Sequence, residues 1–340
     1  MSQSDLPQLE KKDFATDQEV RWCPGCGDYA ILSAFQSAFA KLGIPREKLT
    51  VVSGIGCASR FPYYMNTYGF HTIHGRAPGI ATGLKLANPD LSVWVISGDG
   101  DALAIGGNHL IHALRRNINI KIALFNNRIY GLTKGQSSPT SERGKRTVST
   151  PLGSLDNPFN PLSIALAAGA TFVARGVDRF GPHLQQIIER AAHHKGTAFI
   201  EIYQNCNIFN DGAYGPVTDK TGRKANVLYL EHGRPLKFGN EEEKGLVVGP
   251  NGLPQVVELA EIGDRALYVH DERAPNLGYP LNLAQLDLPD YPVPLGVLRC
   301  VESPTLDEAM VEQEQEAREQ GGADLATLLR GPKSWRVEPS

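Results

Sequence analysis

Two polar turns, each closing an apolar run, contain side chains suited to binding a metal. Gly98–Asp101 follows one apolar run and enters a helical pattern, and Asn126-Asn127 closes the next run. Glycine lets the backbone approach a phosphate closely, but an aspartate repels phosphate unless a cation lies between them. Magnesium prefers oxygen ligands and usually keeps phosphate oxygens in its shell. Either turn alone is commonplace, whereas the pair predicts a magnesium–diphosphate site held by Asp99, Asn127 and a nearby carbonyl such as that of Ile129.

Four of the five cysteines could form a second site, and two of them, Cys23 and Cys26, are a Cys-x-x-Cys pair. An odd count in a chain whose start lacks the apolar core of a signal peptide argues against a disulfide framework. Together with Cys57 and Cys206, the pair could hold structural zinc or an iron–sulfur cluster, or act as a redox dithiol. Spacing alone leaves these alternatives open. Cys300 lies in an apolar run and is predicted to be a buried core thiol.

The elements that would position these residues alternate between strands and helices. Strands are predicted at Thr50–Ser53, Leu91–Ser97, Ile120–Phe125, Thr171–Ala174 and Thr197–Tyr203. Helices are predicted at Asp28–Leu42, at the end of the segment His71–Ala87, over Ala102–Leu114, and at Ser163–Ala170 and His183–His194. This alternation predicts an α/β fold with a doubly wound, mostly parallel sheet, in which ligands bind at the carboxyl ends of the strands.

The domain organisation predicted from the sequence has three parts. Residues 1–20 form a polar N-terminal arm, residues 21–220 form the cofactor-binding domain, and residues 221–340 form a less regular C-terminal extension. Within the extension, Leu306–Leu329 is acidic and predicts a peripheral helix pair. The net charge of −3 gives no positive field to attract nucleic acid, and no apolar run is long enough for a bilayer span. We therefore expect a cytoplasmic protein without nucleic-acid or membrane partners.

The motifs together resemble one enzyme family. Arg21–Gly27, Gly54–Cys57, His74–Ala77, the two polar turns and Asn205–Asn207 occur in the order found in the β subunits of 2-oxoacid:ferredoxin oxidoreductases. The resemblance covers about residues 20–275. It implies a fold of the thiamine diphosphate-binding type, with Mg²⁺ at Asp99, Asn127 and Ile129. It also implies one 4Fe–4S cluster on the four cysteines.

The resemblance also implies partners. The glutamate that activates thiamine in related enzymes would come from an α subunit, so the active unit would be αβ or (αβ)₂, with ferredoxin as the electron acceptor. Two segments, Ser59–His74 and Ile129–Gln136, are similar to the 2-oxoglutarate branch. That branch performs the CoA-dependent oxidative decarboxylation of 2-oxoglutarate to succinyl-CoA and CO₂, or the reverse CO₂-fixing reaction of the tricarboxylic acid cycle.

Three side chains are candidates for direct work on the substrate. Arg60 and Lys134 could bind the distal carboxylate of 2-oxoglutarate, since arginine suits bidentate contacts and lysine a point charge; otherwise both are solvated loop charges. By resemblance, His74 would contact the diphosphate or the reacting centre. The residues assigned to cofactor binding flank the motifs: Gly56, Cys57, His74, Gly98, Asp99, Gly100, Asp101, Asn127, Ile129, Gly131, Leu132 and Thr133.

Three other functions fit some of the same features. The same chemistry could act on pyruvate or another 2-oxoacid. A thiamine-dependent enzyme without redox chemistry could use the cysteines for structural zinc, and it would be colourless. A non-catalytic, metal-stabilised subunit could retain the fold, but the intact pair Asp99 and Asn127 argues against it.

Overall fold

The computed structural model describes residues 9–250, 252–262, 266–321 and 324–338. Residues 1–8 of the N-terminal arm, and residues 251, 263–265, 322–323 and 339–340 of the C-terminal extension, lie outside this part. The main sheet has eight strands in the order β2-β1-β3-β4-β6-β5-β11-β7. They are β1 (Leu49–Ser53), β2 (Tyr68–His71), β3 (Ser92–Gly98), β4 (Ile120–Asn126), β5 (Phe172–Val177), β6 (Ala198–Tyr203), β7 (Val227–Leu230) and β11 (Val293–Cys300).

The central strands are buried on both faces because helices cover both sides of the sheet. All residues of β1, β4, β5 and β6 are buried. On one side, Trp94 of β3 packs edge-on against Phe35 at a centroid distance of 5.4 Å and also contacts Phe39. These buried aromatic contacts fix the helix Asp28–Lys41 on the sheet. They therefore also hold the loop of Cys23 and Cys26, which directly precedes that helix.

The described residues form thirteen α-helices. They are α1 (Asp28–Lys41), α2 (Phe61–Tyr64), α3 (Ala77–Ala87), α4 (Asp99–Leu103), α5 (Gly107–Arg115), α6 (Pro161–Ala167), α7 (Gly181–His193), α8 (Gly215–Thr218), α9 (Lys220–Asn226), α10 (Leu259–Ile262), α11 (Gly278–Ala284), α12 (Leu306–Glu319) and α13 (Leu325–Arg330). A small antiparallel sheet contains β8 (Lys237–Phe238), β9 (Lys244–Val248) and β10 (Pro254–Glu258). No helix among the described residues is both long and apolar enough to span a membrane.

The predicted fold class is confirmed, and each predicted strand and helix appears with small shifts in its bounds. One helix differs: the segment predicted as a single helix over Ala102–Leu114 divides into α4 and α5. The break lies where the chain packs closely, because a Cβ on Gly106 would lie 2.4 Å from the carbonyl oxygen of Asp101. The exposed edge strand β2 was not predicted, since it lacks the buried apolar pattern of the other strands.

The C-terminal segment is more integral to the sheet than its irregular sequence indicates. Strand β11 pairs antiparallel with β5 and parallel with β7, so two of the five strands that follow residue 220 in the described part of the chain extend the main sheet. Cys300 ends β11 and is half-buried, so it is less buried than the core thiol that was predicted. The acidic segment forms the helix pair α12 and α13. The domain boundary at residue 220 stays a prediction.

Candidate active site

A cavity of about 570 Å³ opens at the carboxyl ends of β3 and β4. Both polar turns line it, through Gly98–Asp101 after β3 and through Asn127 and Ile129 after β4. The two strands are neighbours in the sheet, with Gly98 paired with Phe125, so the turns emerge side by side. This edge of a parallel sheet is the usual ligand site of the fold.

Asp99 is held by two hydroxyl groups that the sequence did not indicate. Ser138 Oγ and Thr140 Oγ1 each donate to Asp99 Oδ2 at 2.6 Å. Burial raises the pKa of Asp99 to about 6, because desolvation disfavours the charged carboxylate, and the hydroxyl donors oppose that shift. A divalent cation in the cavity would hold the carboxylate ionised.

A buried polar chain extends from Asp99 across the neighbouring strands. Thr140 Oγ1 lies 2.9 Å from Asn126 Oδ1, and Asn126 Nδ2 donates to Glu201 Oε1 at 2.7 Å. Glu201 also accepts from Arg175 Nε at 2.7 Å. All of these side chains are buried. The first asparagine of Asn126-Asn127 therefore supports the site from behind, while the second lines the cavity.

The turn that carries Asn127 is fixed by its own hydrogen bonds. Asn127 Oδ1 accepts from the backbone N–H of Ile129 at 3.1 Å, and Asn210 Nδ2 donates to the Asn127 carbonyl at 2.9 Å. Arg128, which lies between Asn127 and Ile129 in the chain, has a positive φ of 56°. These contacts place Asn127 and Ile129 together in the lining of the cavity.

Asp101 also lines the cavity, but its carboxylate is occupied by the protein. Its Oδ1 accepts from the backbone N–H of Ile55 at 3.0 Å and of Gly75 at 2.7 Å, and its Oδ2 accepts from the Ser97 hydroxyl. His74 Nδ1 lies 2.7 Å from the same Oδ1. Asp101 thus joins three segments of the wall, whereas the sequence interpretation assigned it to the cofactor.

His74 is oriented by this carboxylate. Because Asp101 accepts, Nδ1 of His74 carries the proton, and Nε2 is the nitrogen left for the cavity that the side chain lines. A histidine fixed in this way can offer one defined nitrogen to a ligand. The predicted position of His74 at the site is therefore matched by geometry, while its role stays a prediction.

Gly100 is required by the close approach of an aromatic ring. A Cβ at this position would lie 2.1 Å from Cε1 of Tyr130, and Tyr130 donates its hydroxyl to the Gly100 carbonyl at 3.0 Å. The glycine therefore lets the turn after β4 close over the turn after β3.

Substituting Gly100→Ala is expected to lower the free energy of unfolding by about 1–3 kcal/mol, because the ring of Tyr130 must move. Thermal unfolding of the purified chain measures the effect. Gly107→Ala is the matched control, since nothing lies within 4 Å of the added Cβ and the residue begins a helix. Equal melting temperatures for both variants would contradict the packing argument.

Three chain segments bring the four cysteines together beside the cavity. The Cys23–Cys26 loop is tied to the loop of Cys206 by Asn207 Nδ2, which donates to the Pro24 carbonyl at 2.7 Å. Trp22 Nε1 donates to the Cys57 carbonyl at 2.7 Å. A Cβ on Gly131 would lie 3.6 Å from Cys206 Sγ and 3.7 Å from Cys57 Sγ. Cys57 itself lines the cavity of Asp99.

The thiols are gathered but not packed around one point. Among the described residues, no three His, Cys, Asp or Glu side chains form a group able to hold a single metal ion. Burial raises the pKa of Cys26, and raises that of Cys57 to about 12, so both thiols are protonated until a metal displaces the proton. Burial also raises the pKa of the neighbouring Asp28 to about 7.

The two cations proposed for the distal carboxylate lie outside the cavity lining. Arg60 Nε donates to the Tyr64 hydroxyl at 3.0 Å, and its guanidinium lies over the Tyr63 and Tyr64 rings. Lys134 is exposed and has a positive φ of 73°. Gly56, Gly131, Leu132 and Thr133 do line the cavity. The role of Arg60 and Lys134 stays a prediction that this geometry does not support.

Comparison with known proteins agrees with the site. Residues 54–202 match the family model of the thiamine pyrophosphate enzyme C-terminal TPP-binding domain. The chain is 53% identical to the 2-oxoglutarate oxidoreductase subunit KorB of Mycobacterium tuberculosis, over 98% of this chain and 90% of that protein. It is 50% identical to the β subunit of 2-oxoacid:ferredoxin oxidoreductase 1 of Aeropyrum pernix, over 58% of this chain and 62% of that protein.

A solved structure is similar over nearly the whole chain. It is the 2-oxoglutarate:ferredoxin oxidoreductase of Magnetococcus marinus with 2-oxoglutarate, coenzyme A and succinyl-CoA bound. The TM-score is 0.77 at 33% identity, covering 96% of each chain. Such identity and coverage establish the family, and they agree with the fold and with the thiamine-binding domain match. This chain belongs to the β-subunit family of the 2-oxoacid:ferredoxin oxidoreductases.

Proposed function

We propose that the chain is the β subunit of a 2-oxoglutarate:ferredoxin oxidoreductase that binds thiamine diphosphate, Mg²⁺ and one 4Fe–4S cluster. The reaction converts 2-oxoglutarate and coenzyme A to succinyl-CoA and CO₂ and passes two electrons, one at a time, to ferredoxin; it also runs in reverse. One observation carries the proposal: Cys57 of the thiol group and Asp99 of the polar turn line the same cavity. A cluster held by these thiols would therefore lie beside a cofactor bound in the cavity and could accept electrons from it.

The residues at the cavity fit a magnesium diphosphate. Asp99 supplies a buried carboxylate, Asn127 an amide oxygen and Ile129 a backbone carbonyl, which are the hard oxygen ligands that Mg²⁺ prefers. Gly98 leaves room for phosphate oxygens near the backbone, since only the Phe125 carbonyl oxygen, at 3.9 Å, lies within 4 Å of the place of a Cβ. This side of the cavity would therefore anchor the diphosphate end of the cofactor.

Thiamine diphosphate, when bound, supplies an electron sink for the cleavage of the bond to the departing carboxylate. The protein residues position and shield this chemistry. Leu132, Ile129 and Phe125 give the cavity apolar walls that limit water. His74, held through Nδ1 by Asp101, offers Nε2 as a hydrogen-bonding group toward the diphosphate or the reacting centre.

The arrangement of the thiols favours a cluster over structural zinc. A zinc ion draws four sulfurs to about 2.3 Å from one point, which gives a compact group. Here, the thiols of Cys57 and Cys206 lie beside Gly131, and hydrogen bonds tie the Cys23–Cys26 loop to both of their segments. Because Cys57 lines the cavity of Asp99, a redox cluster held by Cys23, Cys26, Cys57 and Cys206 would lie beside the bound cofactor, where an electron acceptor is needed and a zinc ion would serve no redox purpose.

The proposed partner is an α subunit. No glutamate is among the described residues that line the cavity, so the carboxylate that activates thiamine must come from another chain. The cavity also lacks lysine and arginine among those residues. Relatives are named as β subunits, which accords with an αβ unit. We expect little activity from this chain alone.

Replacing Thr140 with Val is expected to weaken Mg²⁺-dependent thiamine diphosphate binding by about 10–100-fold, because Asp99 loses one of its two hydroxyl donors. Titration calorimetry on the αβ complex measures the dissociation constant. Thr150→Val is the matched control in the same loop, since that hydroxyl donates to the Lys145 carbonyl and not to Asp99. Equal affinities for both variants would exclude a supporting role for Thr140.

The substrate assignment is tested with ferredoxin reduction by the reconstituted αβ complex. Relatives include enzymes named for 2-oxoglutarate and enzymes named for 2-oxoacids in general, so pyruvate is the second candidate. We expect a higher kcat/KM for 2-oxoglutarate than for pyruvate in the presence of coenzyme A. A preference for pyruvate would be consistent with the mechanism but would show that 2-oxoglutarate is not the preferred substrate.

The same assay with Arg60→Met and with Lys134→Met tests whether either cation binds the distal carboxylate. A variant whose ratio of kcat/KM for 2-oxoglutarate to that for pyruvate is unchanged would exclude its residue from this role.

A further inference from the structure

Gln204 joins the end of β4, beside the cavity, to the group of four cysteines, one of which it contacts. It follows β6 directly, is buried, and its backbone N–H donates to the Asn126 carbonyl at 3.0 Å, at the end of β4. Its side-chain Nε2 lies 3.3 Å from Cys26 Sγ and 2.7 Å from the Asn205 carbonyl oxygen. The amide therefore donates one N–H to a sulfur and the other to the backbone.

The orientation of this amide is set by its neighbours. The Asn205 carbonyl can only accept, so the opposite orientation would place two oxygens 2.7 Å apart without a proton between them. In the observed orientation, Oε1 of Gln204 is buried and has no partner among the described residues. An unsatisfied carbonyl costs stability, so the two N–H contacts must fix the side chain strongly enough to outweigh it.

A hydrogen bond to a cluster thiolate affects electron transfer. One-electron reduction adds a negative charge that is shared between the irons and their sulfur ligands. An N–H dipole that points at a ligand sulfur stabilises the reduced form more than the oxidised form, and so raises the reduction potential. Because Gln204 is buried, solvent screens this interaction little.

We propose that Gln204 tunes the reduction potential of the cluster upward through its N–H···S hydrogen bond to Cys26. It acts as a positioning residue, since it contacts a ligand of the cluster and not the substrate. The inference rests on the proposed function, which makes Cys26 a cluster ligand. A higher potential favours transfer of each electron from the substrate adduct to the cluster and makes onward transfer to ferredoxin less favourable.

The test is a redox titration of the anaerobic αβ complex, monitored by electron paramagnetic resonance. Gln204→Met keeps the length and burial of the side chain but removes both N–H donors. We expect its midpoint potential to be more negative than that of the wild type at an equal iron content. Gln185→Met is the control, because it makes the same chemical change at an amide that donates to Glu189 Oε1 and not to a sulfur. We expect its potential to match the wild type.

A second measurement needs no substitution and so does not depend on the variant folding. Wild-type complex labelled with ¹⁵N in the glutamine side chains is reduced, and pulsed electron paramagnetic resonance is used to detect coupling between the cluster spin and ¹⁵N. A coupling is expected. Its absence, or an unshifted potential in Gln204→Met, would overturn the role of Gln204 while leaving the proposed function intact. A wild-type complex without any cluster signal would overturn both.

Discussion

Replacing Asp99 with Asn is expected to abolish Mg²⁺-dependent thiamine diphosphate binding and, with it, all turnover of 2-oxoglutarate. The substitution removes the negative charge that attracts the cation, and it leaves one acceptor oxygen in place of the carboxylate that Ser138 and Thr140 contact. Loss of groups that merely support a metal ligand costs about 10–100-fold in affinity, so loss of the ligand should exceed about 100-fold. Equilibrium binding of thiamine diphosphate at saturating Mg²⁺ measures the effect on the αβ complex.

Asp90→Asn is the matched control for this substitution. It makes the same chemical change at an exposed carboxylate whose partner is Lys48 at 3.4 Å, away from the cavity. We expect wild-type affinity and activity from it. If Asp99→Asn bound the cofactor as tightly as Asp90→Asn, Asp99 would not be a metal ligand, and the assignment of the whole turn would fail.

Replacing Cys206 with Ser is expected to remove the cluster and to reduce the rate of ferredoxin reduction by at least about 100-fold. Loss of a direct ligand should have a larger effect than loss of a residue that only hydrogen-bonds to a ligand. Cys206 Sγ lies beside Gly131 together with Cys57 Sγ, but Cys206 does not line the cavity. Thiamine diphosphate binding should therefore survive. Iron analysis, the visible spectrum and ferredoxin reduction are measured on the same preparation.

Cys300→Ser provides the comparison for the cysteine substitution. Cys300 pairs with Phe172 at the start of β5, whereas the loop of Cys206 follows the opposite end of the neighbouring strand β6. We expect full iron content from this variant. A Cys206→Ser complex that kept its iron, or a Cys300→Ser complex that lost it, would show that the cluster is held by a different set of thiols.

Much of the fold could be predicted because the central strands are buried on both faces. The run Ile122–Phe125 is apolar without alternation, which is the pattern of a parallel sheet between helices. The edge strand β2 escaped prediction because all four residues are exposed. The position of β11 between β5 and β7 could not be predicted from the sequence either, since β11 pairs with a strand more than one hundred residues earlier in the chain.

The site was predictable where its residues are local and chemically unusual. Asp99 and Asn127 stand at the ends of neighbouring strands, so their convergence follows from the topology. Ser138 and Thr140 could not be found, because they lie in a long segment without strands or helices that returns to Asp99. Asp101 lines the cavity, as its assignment to the cofactor requires, but its hydrogen bonds with the backbone N–H groups of Ile55 and Gly75 could not be predicted because they join distant segments.

The central claim is that the thiamine site and the cluster work as one unit, and the visible spectrum tests it most directly. The chain is purified anaerobically with its α subunit, and its absorption is recorded before and after 2-oxoglutarate and coenzyme A are added. The account predicts a brown protein with a broad band at about 400 nm that bleaches with substrate. A colourless protein that contains zinc, or a brown one that no 2-oxoacid bleaches, would contradict it.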